Sequence, residues 1–151
     1  MIDPSTEFGN VAMRISLGHR FPDTTFVVEP LRVEEFLTAL GTNRTAAEQA
    51  SRPGQPIPLG FLMYVTTIGA DHVHEALEVD FRRALYGGAS YEIHAPAHVG
   101  DTLTVVSTFT NQTTKSTKAG QLTFFELTCD YLLEDGTLSV RERSTTIERP
   151  E

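Results

Sequence analysis

The stretch from Pro56 to His74, P-I-P-L-G-F-L-M-Y-V-T-T-I-G-A-D-H-V-H, limits the possible folds more than any other part of the chain. The residue before each of Pro56 and Pro58 is pushed away from helical angles, so the approach is extended. Gly60 then stands near the first turn of an apolar run, Phe61 to Ile68, interrupted only by Thr66 and Thr67. A helix that is apolar nearly all round belongs inside a protein. Its first backbone N–H groups lack helical partners and carry partial positive charge. A glycine there lets another atom approach the backbone closely. The expectation is a buried helix, clasped by strands from elsewhere in the chain, with an accessible first turn at Gly60.

The 151-residue chain has room for one domain, which at this size buries roughly two thirds of its unfolded surface. Its opening M-I-D-P-S-T-E-F looks like translated cloning-site sequence or a frayed native terminus. Residues 1–10 are therefore set aside, and 11–151 are read as a single domain. Apolar content of 40% and charged content of 21% are those of a soluble globule, with no run long enough for a membrane span and no leader pattern. A net charge of −8 speaks against a nucleic-acid footprint, which would be basic. The single cysteine, Cys129, cannot close an internal disulfide, which suits a reducing cytoplasm.

Before the buried run, T-T-F-V-V (Thr24–Val28) reads as a first strand. Pro30 suits a helix start, and Val33, Phe36, Leu37 and Leu40 share one helical face that Gly41 ends. Thr45 to Ala50 is a short helical turn, and 42–57 as a whole is either a substrate entrance or a plain surface loop. After the run, D-H-V-H-E-A-L reads as a fraying polar helix end. Leu77–Leu85 and Ser90–Ala95 read as two short strands. Leu103, Val105, Ser107 and Phe109 line one face of the next. Thr123, Phe125, Leu127, Cys129, Tyr131 and Leu133 line one face of another, and Asp135-Gly136 turns into a last strand over Thr137–Glu148. The order is strand, helix, buried helix, then an antiparallel meander, an α+β class.

Three segments resemble one family. Val28–Gly41, V-E-P-L-R-V-E-E-F-L-T-A-L-G, is similar to the opening helix of the MaoC-like hydratase/dehydratases of the hot-dog superfamily, in the branch that resembles the dehydratase region of type I fatty-acid synthase and the mycobacterial hydroxyacyl-ACP dehydratase subunits. Leu85–Asp101, L-Y-G-G-A-S-Y-E-I-H-A-P-A-H-V-G-D, resembles its aromatic–x–x–His–x–Pro–x–x–Val–Gly–Asp pattern, and Lys118–Leu138 followed by R-S-T-T-I its last hairpin. The resemblance implies a hot-dog fold, an antiparallel sheet wrapped around the central helix. It implies an acyl thioester of coenzyme A or an acyl carrier protein as ligand, no resident cofactor, and a pocket at a subunit interface. It also implies reversible addition of water across a 2-enoyl thioester, which needs an oxyanion donor and an acid/base pair.

The donor is expected at Gly60 or a neighbour, with Pro58, Leu59, Phe61, Tyr64, Thr42 and Asn43 as substrate-binding candidates. The alternative is that Gly60 only lets the helix pack closely. Catalytic members carry Asp-x-Asn-Pro-x-His after the opening helix, where this chain reads G-T-N-R-T-A-A-E, with no acid at Thr42 and no histidine before His72. The expectation is a binding subunit, as a homodimer or as heterodimer with a dyad-bearing sister. A self-sufficient hydratase or a hot-dog thioesterase are the alternatives. His72 and His74, with Asp71 to orient one of them, are weak catalytic candidates against a solvated helix end. His94 and His98 lack the further ligands a metal needs and read as structural. Cys129 reads as a packed core residue. The lysines of Asn111–Gly120 either steer ligand phosphates or sit on a solvated hairpin tip.

Overall fold

Alternation of apolar and polar residues builds the sheet. In the computed structural model, which describes residues 15–58, 60–64 and 71–150, five strands form one antiparallel sheet in the order β1-β3-β4-β5-β2. They are β1 (Thr24–Val27), β2 (Ala84–Ile93), β3 (Thr102–Thr117), β4 (Gly120–Leu132) and β5 (Leu138–Glu148). The side chains of Asp71 and His72 are outside the described part, as is the 1–10 segment. Odd positions of β3 and β4 (Leu103, Val105, Phe109, Phe125, Leu127, Cys129, Tyr131) are buried, as the period-2 reading expects. The outer face carries charge: Asp130 and Arg141 stand opposite each other across β4 and β5 and pair in a bidentate fork at 2.6 and 2.7 Å. Arg143 pairs with Glu92 on the same face.

Helices cover the inner face in two places. Helix α1 (Pro30–Ala39) starts at Pro30 and buries Val33. Helix α2 (Arg44–Ala50) is capped by the Asn43 side chain, which accepts from the Ala46 N–H at 3.0 Å. The helical turn at 60–64, α3, and helix α4 (Asp71–Ala76) follow. Phe61 and Leu62 of α3 join Val28, Val33, Leu103, Val105, Cys129, Tyr131 and Val140 in one cluster. Val73 of α4 and Leu77 join Phe21, Phe109, Phe125 and Leu127 in a second.

Four expectations change. Leu40 is 68% exposed because it is the C-cap of α1 rather than a member of its buried face. Of α3, Phe61 and Leu62 are buried while Gly60, Met63 and Tyr64 are exposed, so this turn is amphipathic in the single chain rather than apolar all round; Thr66, Thr67 and Ile68 lie outside the described residues. The two short strands expected between Leu77 and Ala95 are one, beginning at Ala84. Leu77 and Val79 are apolar because they pack in the second cluster, and a turn held by Asp80, whose carboxylate accepts from the Arg82 N–H and pairs with Arg83, precedes the strand. The Asn111–Gly120 tip shrinks to Lys118 and Ala119, since threonine-rich residues continue β3 to Thr117. Lys115 Nζ there sits 5.0 Å above the Phe124 ring.

A bulge at Gly87 bends β2 where it leaves the turn. Its pairing shifts between Tyr86 and Gly88, and a Cβ at Gly87 would meet the Thr145 carbonyl oxygen at 3.0 Å. Tyr86 and Tyr91, five apart, would face opposite sides of a regular strand. With the bulge they oppose Thr146 and Glu142, two positions of the same β5 face.

Phe61 is fully buried at the junction of α3 and the sheet. Phe61→Ala is expected to lower unfolding free energy by about 3–5 kcal/mol in denaturant melts, with the m-value unchanged.

Candidate functional site

Gly60 lies exposed at the start of α3, against the Phe36 ring of α1. The Phe61 N–H already donates to the Pro58 carbonyl at 3.0 Å, whereas the Gly60 N–H has no partner among the described residues. Phe36 of α1, Phe61 and Tyr64 have ring centroids 5.8 to 6.1 Å apart pairwise, within the range of favourable aromatic contact. A Cβ at Gly60 would stand 3.2 Å from Phe36 Cζ, so the missing side chain does allow close packing of α1 on α3. Close packing on Phe36 and exposure of the residue coexist at Gly60. Tyr64 is 38% and Met63 42% exposed, which leaves an apolar rim beside the amide.

The other candidates divide. Pro58 supplies the carbonyl that receives the Phe61 N–H. Leu59 lies outside the described residues. Thr42 follows α1, its N–H bonded to the Leu37 carbonyl at 3.0 Å, and the Asn43 amide oxygen is engaged in capping α2. Of the weak catalytic trio, the side chains of Asp71 and His72 are not described. His74 is not the solvated helix end that its polar neighbours suggested. Its ring lies edge-on to Phe81 at 5.2 Å, and Nε2 is 3.3 Å from the Thr146 hydroxyl. His94 lies 3.6 Å from Glu92, and His98 3.8 Å from Asp101. No group of three potential metal ligands occurs among the described residues. No helix among them is long and apolar enough to cross a membrane. A depression of about 250 Å³ over β2, β4 and β5 involves Ser90, Glu126 and Arg143, and none of the expected site residues lines it.

The sequence reading missed the polar residues of the inner face. Glu142 is 2% exposed, and its Oε2 accepts the Tyr131 hydroxyl at 2.7 Å. The available signal was the alternation in V-R-E-R-S: Val140, Glu142 and Ser144 share a face, and Val140 is core. Cys129, opposite Glu142 on β4, lies 3.4 Å from the Ser107 hydroxyl. Burial, against the Ser107 bond, pushes its thiol up to about 11. A thiol so held is almost entirely protonated at neutral pH and inert. Ellman's reagent at pH 8 is expected to leave Cys129 unmodified in the native protein and to label it fully in denaturant.

Residues 16–140 match the model of a family described as FAS1-like, dehydratase domain region. A comparison with curated proteins finds no match. Among solved structures, the chain is similar to the unliganded R-hydratase PhaJ1 of Pseudomonas aeruginosa, at 14% identity and TM-score 0.63, over 91% of this chain and 84% of that one. It is similar to the C-terminally truncated HadBC (3R-hydroxyacyl-ACP dehydratase) complex of Mycobacterium tuberculosis, at 17% identity and TM-score 0.62, over 87% and 96%. It also resembles the ChsH1–ChsH2 complex of the same organism, at 13% identity and TM-score 0.57, over 89% and 98%. At such identities these likenesses speak to the fold. With a family match spanning most of the chain and a sheet of this order, the protein belongs to the family described as FAS1-like, dehydratase domain region, and has the hot-dog fold.

Proposed function

We propose that this chain binds acyl thioesters of coenzyme A or an acyl carrier protein, as the non-catalytic subunit of an enoyl hydratase/3-hydroxyacyl dehydratase. The observation that carries the proposal is the exposed residue Gly60, whose amide has no partner among the described residues, beside Phe36, a ring in contact with Phe61 and Tyr64. A thioester enolate needs a donor for its oxygen and an apolar surface for its acyl chain, and this turn offers both. It belongs to a chain of a dehydratase family.

On this reading the proton-moving half of the chemistry comes from another subunit. Residues 41–48 read G-T-N-R-T-A-A-E, without the aspartate and histidine that catalytic relatives carry there. A threonine hydroxyl needs a neighbouring base to be activated. The Asn43 amide oxygen is committed to its cap. A sister subunit would bring the acid and base. Leu85, Tyr86 and Ile93 are exposed along the open edge of β2, a surface that favours coverage by another subunit. Two of the similar solved structures are themselves complexes. The cytoplasm, where such thioesters are made, suits a chain with one buried, unreactive cysteine. No contact of His74 with Phe81 and Thr146 favours a self-sufficient hydratase.

Two outcomes are expected. The isolated chain binds crotonyl-CoA in calorimetry without consuming its enoyl absorbance, and turnover begins when a hot-dog subunit bearing the Asp/His dyad, from the same organism, is added. Turnover by the chain alone would contradict the subunit role. Gly60→Ala weakens crotonyl-CoA binding by about tenfold or more while the native circular dichroism is retained, because the new methyl, 3.2 Å from Phe36 Cζ, pushes that ring out of place beside the turn.

A further inference from the structure

The outer face of the sheet carries two kinds of surface. On β4, Leu122, Phe124, Glu126, Thr128 and Asp130 alternate with the buried series, and Arg141, Arg143, Thr145 and Ile147 of β5 lie on the same side. Around its middle this face is charge-balanced: Asn111 donates to Glu126 at 3.2 Å, Asp130 holds Arg141, and Glu92 holds Arg143. Toward the β3–β4 turn its character changes. Thr113, Phe124, Ile147 and Leu85 stand opposite one another in one row across β3, β4, β5 and β2. In the next row Lys115 opposes Leu122. Leu122, Phe124 and Ile147 are partly exposed and Leu85 is 47% exposed, which makes an apolar strip on an otherwise polar face.

Cations without acids border the strip. Lys115, Lys118 and Arg149 are exposed, and none of them has a carboxylate partner among the described residues. Lys115 Nζ lies over the Phe124 ring, and the Arg149 guanidinium donates only to the Arg82 and Arg83 carbonyls. Pro150 packs against Gly120, which brings Arg149 beside the Lys118–Ala119 turn. In a chain of net charge −8, these three cations gather where no acid balances them.

Charge and spacing select the occupant. A second copy laid on this patch across a two-fold axis would set like charges against each other. A bilayer takes apolar side chains to a depth of about 5–10 Å, and side chains half-buried in a sheet do not reach it. A helix does fit. Neighbouring strands are about 4.8 Å apart, so Phe124, Ile147 and Leu85 follow one another at that interval. Successive apolar residues of an amphipathic helix, three or four apart, advance about 5 Å along its axis. A helix lying along the row sets one apolar side chain on each strand, with its flank beside Lys115 and Arg149.

We propose that this end of the outer face docks an acidic amphipathic helix of a partner protein. The surface lies on the side of the sheet opposite Phe61 and Leu62, so it is separate from the Gly60 turn and does not depend on the thioester reading.

The test measures fluorescence anisotropy of the full chain with a labelled peptide of about 20 residues, carrying leucine at i, i+3, i+4 and i+7 and glutamate along its flanks. One control peptide has the same composition scrambled, and another has lysine for glutamate. The glutamate peptide is expected to bind at least about tenfold tighter than either control. The double change Lys115→Glu with Lys118→Glu lowers that affinity at least about tenfold, and so does Phe124→Ser. The lysine variant keeps the wild-type melting temperature and crotonyl-CoA affinity, since both side chains are exposed. Equal binding of the three peptides, or an unchanged affinity in the lysine variant, would overturn the docking surface. Binding to phosphatidylglycerol vesicles in place of the peptide would make a bilayer the occupant and overturn it too. Self-association that Phe124→Ser abolishes would give the face to a second copy, and a loss of crotonyl-CoA affinity in the lysine variant would give the lysines to ligand phosphates; either result overturns the proposal.

Discussion

Covering the inner face of the sheet is the constraint on which the rest depends. Strands β3 and β4 place an apolar series on one side, Leu103, Val105 and Phe109 on β3, broken only at Ser107, and Phe125 to Tyr131 on β4. Exposed to water, those side chains would forfeit roughly 1.5–3 kcal/mol each. The chain covers them with Val33 of α1, with Phe61 and Leu62 of α3 and, further along, with Val73 of α4. The opposite side needs no cover, since Asp130–Arg141 and Glu92–Arg143 pairs hold it in solvent. Where α3 meets the sheet its second and third residues are committed to the core, which leaves its first, Gly60, at the surface.

Much of this was legible because it depends on period. The inner faces of β3 and β4, the Pro30 start of α1, the Asp135-Gly136 turn and the buried thiol of Cys129 all followed from alternation, spacing or turn chemistry. The misreadings share a physical cause, which is that tertiary contacts outweigh local pattern. Leu77 and Val79 are apolar because of packing and not because of a strand. Leu40 completes a periodic face in the sequence, yet lies past the last helical residue. His74 has polar neighbours in sequence and an aromatic one in space. The bulge at Gly87 cannot be placed without knowing that Thr145 presses on it from β5.

The candidate site was half legible. A glycine before an apolar helix marks where backbone amides are open, and the structure sets Phe36, from another element, against it, in contact with Phe61 and Tyr64. The inner polar row was not legible, because Tyr91, Glu142, Cys129 and Ser107 come from four strands and only the register brings them into line. Glu142 in R-E-R reads as one more surface charge until its position opposite Cys129 is known. The proposed division of labour follows from these two features: amides and apolar rings to hold a thioester, and proton transfer left to another subunit.

The most direct measurement is the amide spectrum of ¹⁵N-labelled protein during titration with crotonyl-CoA. If the turn at Gly60 holds the thioester, the Gly60 amide and the ring protons of Phe36 and Tyr64 shift together and saturate at one stoichiometric equivalent. Saturable shifts confined to the outer face around Arg143 and Glu126, or to the Lys115–Lys118 hairpin with Gly60 unmoved, would contradict it.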